Sequence, residues 1–266
     1  MTVAAQSRVR AKESIRQLAA SACHTLLRLT SKPYQLTDAP SVVIAPHQDD
    51  ETLACGGLIA RKRHEGLPVH VIFITDGSAS HSGHSRYNPA AIAELRRLEA
   101  MQAMACLGVE RHAVHFLDEP DGTLKGITPP RREDLVTRLA DRLRAIAPGE
   151  VFLPCQHDGS SEHDAAFSFV TAEVARAGLQ TEIWQYPVWS WWNPVLLLRC
   201  RLANRHCRRQ PLEDFVLAKH RAIQCYQSQI APLAPDTTPA LPPGLIEIFR
   251  TNTEFFFRYE AAPPVA

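Results

Sequence analysis

From residue 41 onward, short apolar runs alternate with longer stretches in which apolar positions recur at helical spacing. The runs are "SVVIAP", "VHVIFITDG", "AVHFL" and "EVFLP". Each is rich in Val, Ile and Phe and has few polar interruptions, the pattern of a strand covered on both faces and hence of a parallel sheet. Between and after them the spacing predicts helices over 51–65, 89–107, 129–147 and 163–177, closed by Gly66, Gly108, Pro148 and Gly178. This alternation predicts an α/β fold of Rossmann-like type, a mostly parallel sheet with helices on both faces. Sites in such folds lie beyond the carboxyl ends of the strands.

Both flanks depart from that texture. Residues 8–32 read as a basic amphipathic helix, with Ile15, Leu18, Ala22 and Leu26 on one stripe and six Lys and Arg against a single acid, Glu13. The helix is expected to pack on the body of the protein or on a second copy; docking on an anionic membrane surface is the less favoured reading. After "TEIWQYPVWSWWNP" the alternation fades into a basic stretch, a helix near 211–228, and the proline-rich "APLAPDTTPALPPG", expected to be a surface connector. The chain thus divides into a helical segment at 1–35, a single domain over 36–260 and a flexible tail at 261–266.

Composition narrows the function classes. With 266 residues, 45% hydrophobic and 21% charged, the chain is globular and long enough for a sizeable core. A net charge of +1 gives no global support for a nucleic-acid partner. Seven cysteines with no CxxC pair argue against a disulfide framework or a thiolate metal site, and predict a reduced, cytoplasmic protein. No run approaches the roughly 18 apolar residues of a membrane span. Homo-oligomerisation stays open.

The chemistry concentrates in "IAPHQDDETLACGG", residues 44–57. Acids are favoured at a helix N-terminus by about 0.3–1 kcal/mol each, which reduces the cost of clustering Asp49, Asp50 and Glu51. Capping does not call for His47, nor for Pro46 fixing the approach. His47 and Asp50, one helical turn apart, suit two ligands of one cation; zinc fits best, and iron(II) or manganese also fit. A catalytic zinc site usually has three protein ligands, so another must come from a different strand end. "EVFLPCQHDGSSEHDAAF" repeats the arrangement, with His157, Asp158, Glu162, His163 and Asp164 between an apolar run and a helix.

These residues resemble the PIG-L (LmbE-like) family of zinc-dependent deacetylases, whose first motif is Pro-His-x-Asp-Asp-Glu followed by glycines one helical turn later. Here that motif reads "PHQDDETLACGG". The likeness continues through "TDGSAS", "RRLEAMQAMACLGV", "HFLDEPDG", the loop at His163 and "KHRAIQCYQSQ", covering about residues 41–230. It implies that His47, Asp50 and His163 coordinate Zn2+, that Asp49 is the general base, that Glu51 supports the site, and that Arg96 holds substrate or the site wall. Arg96 could instead be a surface cation near Glu99. One departure stands out: the family's third motif commonly reads His-x-Asp-His, whereas this chain has "SSEH", with Ser160 in the place of a histidine. His157 or a histidine of "SASHSGH" could substitute.

The activity implied is removal of an N-acyl group, N-acetyl first, from an amino sugar or glycoconjugate by zinc-activated water. The alternatives are a metal-dependent amidase on a non-sugar N-acyl metabolite and a non-catalytic carbohydrate-binding relative. Three further features bear on substrate. The small polar loop "TDGSASHSGHSRYNP" could cover the site, although a solvent loop is the default. Trp184, Tyr186, Trp189, Trp191 and Trp192 could form a sugar-stacking or lipid-facing wall, although core is the commoner fate of such aromatics. Arg199, Arg201, Arg205, Arg208 and Arg209 suit a phosphate-bearing or lipid-linked substrate, or simply a solvated basic face.

Overall fold

The apolar runs pair into one sheet, each beside the neighbour that covers its backbone groups. A computed structural model describes residues 3–81, 87–204, 206–234 and 237–260; the expected tail at 261–266 lies outside the described residues. The strands are β1 (Lys32–Pro33), β2 (Ser41–Ala45), β3 (Val69–Thr75), β4 (Val114–Glu119), β5 (Glu150–Pro154), β6 (Glu182–Tyr186), β7 (Cys207–Pro211) and β8 (Thr253–Tyr259). Their order is β1-β7-β8-β6-β5-β2-β3-β4. The five strands from β6 to β4 run parallel. β8 lies antiparallel between β6 and β7, and β1 is parallel to β7.

The helices are α1 (Val3–Thr30), α2 (Asp50–His64), α3 (Pro89–Cys106), α4 (Pro129–Ile146), α5 (Ser161–Arg176), α6 (Pro194–Ala203), α7 (Val216–Cys225), α8 (Gln227–Ile230) and α9 (Pro243–Phe249). Both sheet faces are covered because alternate strand residues are apolar. Val42 and Ile44 of β2 join a cluster with Leu135, Leu139 and Leu143 of α4 and Val170 of α5. Val43 and Ala45 join another with Leu53 and Leu58 of α2 and Ala103 and Met104 of α3. The mostly parallel, doubly covered sheet expected from the sequence is what forms.

From β2 the chain steps outward through β3 to β4, then returns to pair β5 with β2 and continues to β6. The direction reverses between β2 and β5. The turns that follow these two strands therefore stand side by side at the carboxyl end of the sheet, where a parallel fold opens a crevice.

Three expectations need correction. The helix placed near 211–228 begins as strand β7; Pro211 ends that strand, and the helix runs as α7 and then α8, interrupted at Tyr226, whose ψ of 53° is not helical. The proline-rich segment does more than connect, because Leu241 is buried and its N–H donates to Gln229 O at 2.9 Å. The stripe on α1 is reversed. The helix lies on α6 and α9 through Ala20 and Leu27, which are buried, whereas Ile15, Leu18 and Leu26 are exposed. Its inner face also carries Gln17, which donates to Gly244 O at 3.4 Å, and His24, whose ring packs edge-on against Phe255 at 5.1 Å.

The glycine pair of the first motif has a packing role. A Cβ on Gly57 would stand 2.2 Å from Leu212 Cδ2, and one on Gly56 would stand 3.1 Å from Lys219 Cγ. Here α2 meets the strand-to-helix link before α7, and Glu254 of β8 closes the junction. Its carboxylate accepts from Gly57 N (2.8 Å), Leu58 N (2.9 Å) and Lys219 Nζ (2.8 Å), all away from solvent. Replacing Gly57 by Ala is expected to lower unfolding free energy by about 1–3 kcal/mol through overpacking. Urea denaturation followed by circular dichroism checks this; an unchanged midpoint would mean that Leu212 yields freely.

Candidate metal centre and active site

β2 ends at Ala45, and Pro46 to Asp49 make the turn into α2. Asp49 is the N-cap, with φ 145° and ψ −31°. A non-glycine residue at positive φ is strained by about 1–3 kcal/mol, and such strain persists where neighbours over-determine it. Glu51 is one of those neighbours: its carboxylate accepts from Asp49 N at 3.0 Å, from Thr52 Oγ1 at 2.5 Å and from the Tyr226 hydroxyl. Glu51 thus ties the turn to α7 and α8 and does not line the cavity.

Asp50 opens α2, and its Oδ2 lies 3.3 Å from His47 Nδ1 and 3.2 Å from His163 Nε2. The three candidate ligands expected from sequence come together, their donor atoms all within 4.8 Å of one another. His163 is fully buried near the start of α5, and Ser160 caps that helix, its hydroxyl accepting from His163 N at 3.5 Å. The contact between His163 Nε2 and Asp50 lacks hydrogen-bond geometry, so this buried nitrogen has an ionic neighbour and no hydrogen-bond partner.

Each imidazole is backed by a carboxylate on its other nitrogen. His163 Nδ1 is 2.8 Å from Asp158 Oδ2. Asp158 is itself buried and accepts from Val188 N, Trp189 N at 2.9 Å, Ser190 N at 3.0 Å and Ser190 Oγ at 2.6 Å. His47 Nε2 is 3.2 Å from Asp121 Oδ1, beyond the end of β4. A carboxylate on the far nitrogen fixes the tautomer, leaving Nδ1 of His47 and Nε2 of His163 with lone pairs toward the centre. The sequence reading assigned no role to Asp121 or Asp158. The signal was present, since each is an acid just past the end of a predicted strand.

The electrostatics favour positive charge at the centre. Burial alone would lower both imidazoles; Asp121 and Asp50 lift His47 to about 10, and Asp50 and Asp158 lift His163 to about 9. Burial pushes Asp50 up, but the two imidazoles outweigh it and hold its carboxyl well below the usual range. Two imidazoles, one carboxylate and a buried nitrogen without a hydrogen bond fit a divalent cation, whose binding displaces the protons.

Asp49 is set apart from this cluster. Its Oδ2 faces the Arg96 guanidinium at 3.4 Å and 3.5 Å. Burial raises its carboxyl, Arg96 pulls it back and Asp50 pushes it up again, to about 6. Arg96 is 1% exposed, so it is not a surface cation. Glu99, one turn further along α3, instead receives Ser228 N and Oγ, both at 2.6 Å. Asp49, Asp50, His47, Arg96 and Asp121 form the polar side of a cavity of about 170 Å³. Val188, Trp189, Ala240 and Leu241 give it apolar lining, and Ser80 and Gln229 complete it.

Other sequence candidates fall elsewhere. His157 is exposed with φ 63°, its Nδ1 3.9 Å from Asp164, and does not line the cavity. The His81 ring donates from Nε2 to Ser228 O, 2.8 Å away; His84 lies outside the described residues. Trp184, Tyr186, Trp191 and Trp192 are core, and only Trp189 of that string reaches the cavity. Arg205 lies outside the described residues, and none of the other four arginines of its cluster lines the cavity.

A family model described as GlcNAc-PI de-N-acetylase matches residues 42–174. Among curated proteins, a diacetylchitobiose deacetylase of Thermococcus kodakarensis is 32% identical over 145 residues, 51% of this chain and 49% of its own. A 1D-myo-inositol 2-acetamido-2-deoxy-alpha-D-glucopyranoside deacetylase of Saccharopolyspora erythraea is 30% identical over 125 residues, 40% of this chain and 45% of its own. The chain thus spans about half the length of the curated relatives it matches. A similar fold occurs in the 4-carboxy-2-hydroxymuconate hydratase GalB of Pseudomonas putida, at TM-score 0.61 and 19% identity over 85% of this chain and 98% of that one. Since the matched segment makes up half of the chain and carries His47, Asp50 and His163, the protein belongs to the PIG-L family.

Proposed function

We propose that the protein is a metal-dependent hydrolase that removes an N-acyl group, N-acetyl first, from an amino sugar or glycoconjugate. The observation that carries this reading is the division of labour between adjacent carboxylates: Asp50 sits between two imidazoles, while Asp49 stays outside that cluster, facing the cavity. His47, Asp50 and His163 would hold the ion, and their neutral-nitrogen and carboxylate donors suit zinc. Zinc, when bound, supplies a Lewis acid for the amide carbonyl and makes water a better nucleophile at neutral pH.

The remaining steps belong to the chain. Asp49, with a carboxyl raised to about 6, takes the proton of the attacking water and returns it to the departing nitrogen, because an amine leaves poorly unless protonated. Arg96 holds the Asp49 side chain and limits how far burial can raise it. Val188, Trp189 and Leu241 exclude water from the acyl side. Ser160 is committed as a helix cap, so Asp49 serves as acid and base without the second histidine common in the family. The amino-sugar preference draws its support from the two deacetylase relatives.

A second reading is hydration of an unsaturated acid, favoured by a 4-oxalmesaconate hydratase of Pseudomonas putida that is 27% identical over 146 residues; it needs the same base but releases no amine. Acetate and free amine released from N-acetylglucosamine conjugates, lost on chelation and recovered with zinc, are the expected results. Hydration of a muconate-type substrate with no acetate from any conjugate would decide for the second reading. Saturable sugar binding without turnover would leave only a binding protein.

Asp49→Asn is expected to lower kcat about 10²–10⁴-fold with metal content unchanged, whereas His47→Ala loses both metal and turnover. Elemental analysis of the purified variants alongside acetate release checks the pair. Wild-type rates in Asp49→Asn would remove the base assignment.

A further inference from the structure

The apolar stripe that α1 turns to solvent is not isolated. Ile15, Leu18, Leu26 and Leu29 are 66%, 72%, 46% and 80% exposed. α6, which touches α1, does the same: Val195, Leu198 and Leu202 are 58%, 42% and 82% exposed, while Leu197 and Cys200 face inward. Of the ten large apolar side chains exposed among the described residues, these two contacting helices carry seven. Scattered exposed leucines are ordinary; a concentration of this kind marks an interaction surface.

Charge identifies what covers it. α1 and α6 together hold seven Lys and Arg and one acid, in a chain whose net charge is +1. The exposed Lys12 and Arg28 flank the α1 stripe, and the exposed Arg199 lies within that of α6. The one acid, Glu13, is half-buried. Long cationic side chains beside an outward apolar stripe can reach the headgroups while leucines enter the acyl boundary. We propose that α1 and α6 together form a docking surface for an anionic lipid bilayer.

A second copy of the chain fits less well. Ala11, Ile15, Leu18, Ala22, Thr25 and Leu29 recur at coiled-coil spacing. Yet the flanking positions offer Lys12 and Arg28 with no acid to meet them, and a symmetric pairing would set cation against cation. Docking would also hold the cavity close to lipid. The turn over Trp189–Trp192 touches both helices, and its Trp189 lines the cavity. Leu196 of α6 lies against Gly159, in the loop that leads to His163.

The surface needs no catalysis to be tested. Full-length protein is floated with vesicles of mixed phosphatidylglycerol and phosphatidylcholine, and with phosphatidylcholine alone, at low and high salt. Binding to the anionic vesicles that weakens with salt is expected, with about fivefold lost for Lys12→Ala or Arg28→Ala. Leu18→Ser combined with Leu202→Ser should lose tenfold or more at an unchanged melting temperature, because both side chains are already in water. Equal binding to neutral vesicles, or no binding at all, overturns the proposal. So does a dimer in light scattering that Leu18→Ser dissolves and anionic vesicles do not.

Discussion

The site depends on one adjacency in the sheet, the pairing of β2 with β5. Because the strand order reverses there, the turn carrying His47 and Asp50 and the loop carrying His163 share one crevice, although they lie more than a hundred positions apart in the chain. Asp50 Oδ2 makes the adjacency chemical by standing within 3.3 Å of a nitrogen from each. Three acids in a row at a buried turn would repel strongly if all faced one place. They face three: Asp50 the imidazoles, Asp49 the Arg96 guanidinium, and Glu51 the hydroxyls of Thr52 and Tyr226. Each carboxyl group thus has its own partners, and burial raises that of Glu51 to about 7.

Rigidity is supplied from outside the donor set. Asp158, held by three backbone amides and a hydroxyl, fixes His163, and Asp121 fixes His47. Neither acid belongs to the donor set of His47, Asp50 and His163, yet each determines which nitrogen its histidine presents. Donors whose orientation is settled before an ion arrives lose less freedom on binding it. The strained Asp49 backbone belongs to the same design. Glu51 and the Leu53 amide hold the residue at positive φ, and its carboxylate faces the cavity instead of capping α2.

The two faces of α1 show how local pattern and tertiary placement can part company. Its sequence contains two apolar stripes, one of Ala20 and Leu27 among groups that pack closely or hydrogen-bond, the other of larger aliphatic residues flanked by cations. Hydrophobicity alone favours burying the second. Burying it would have brought Lys12 and Arg28 toward the body, and charge is costly to desolvate unless it is paired. The smaller stripe also lets the helix approach α9 closely enough for Gln17 to reach a backbone carbonyl.

Much of the site was legible in the sequence because its grammar is local. Continuous apolar runs marked β2, β3, β4 and β5; glycine and proline stops bounded α2 to α5; one helical turn between His47 and Asp50 put two ligands at one helix end. A second acid-flanked strand end offered His163 as a third ligand, and the motif resemblance selected it and added the separate duty of Asp49. What the sequence left open depends on which segments become neighbours. β7 and β8 escaped notice because an antiparallel insertion beside β6 has no signature apart from the partners it finds. Arg96 could be read as a surface cation until α3 was seen packed so that it faces Asp49 from inside. Asp121 and Asp158 stayed anonymous acids until strand order set them behind the two histidines. Spacing along a chain encodes the geometry of a single turn, whereas contact between distant turns is set by strand order and the packing of complete layers, and these are properties of the assembled sheet.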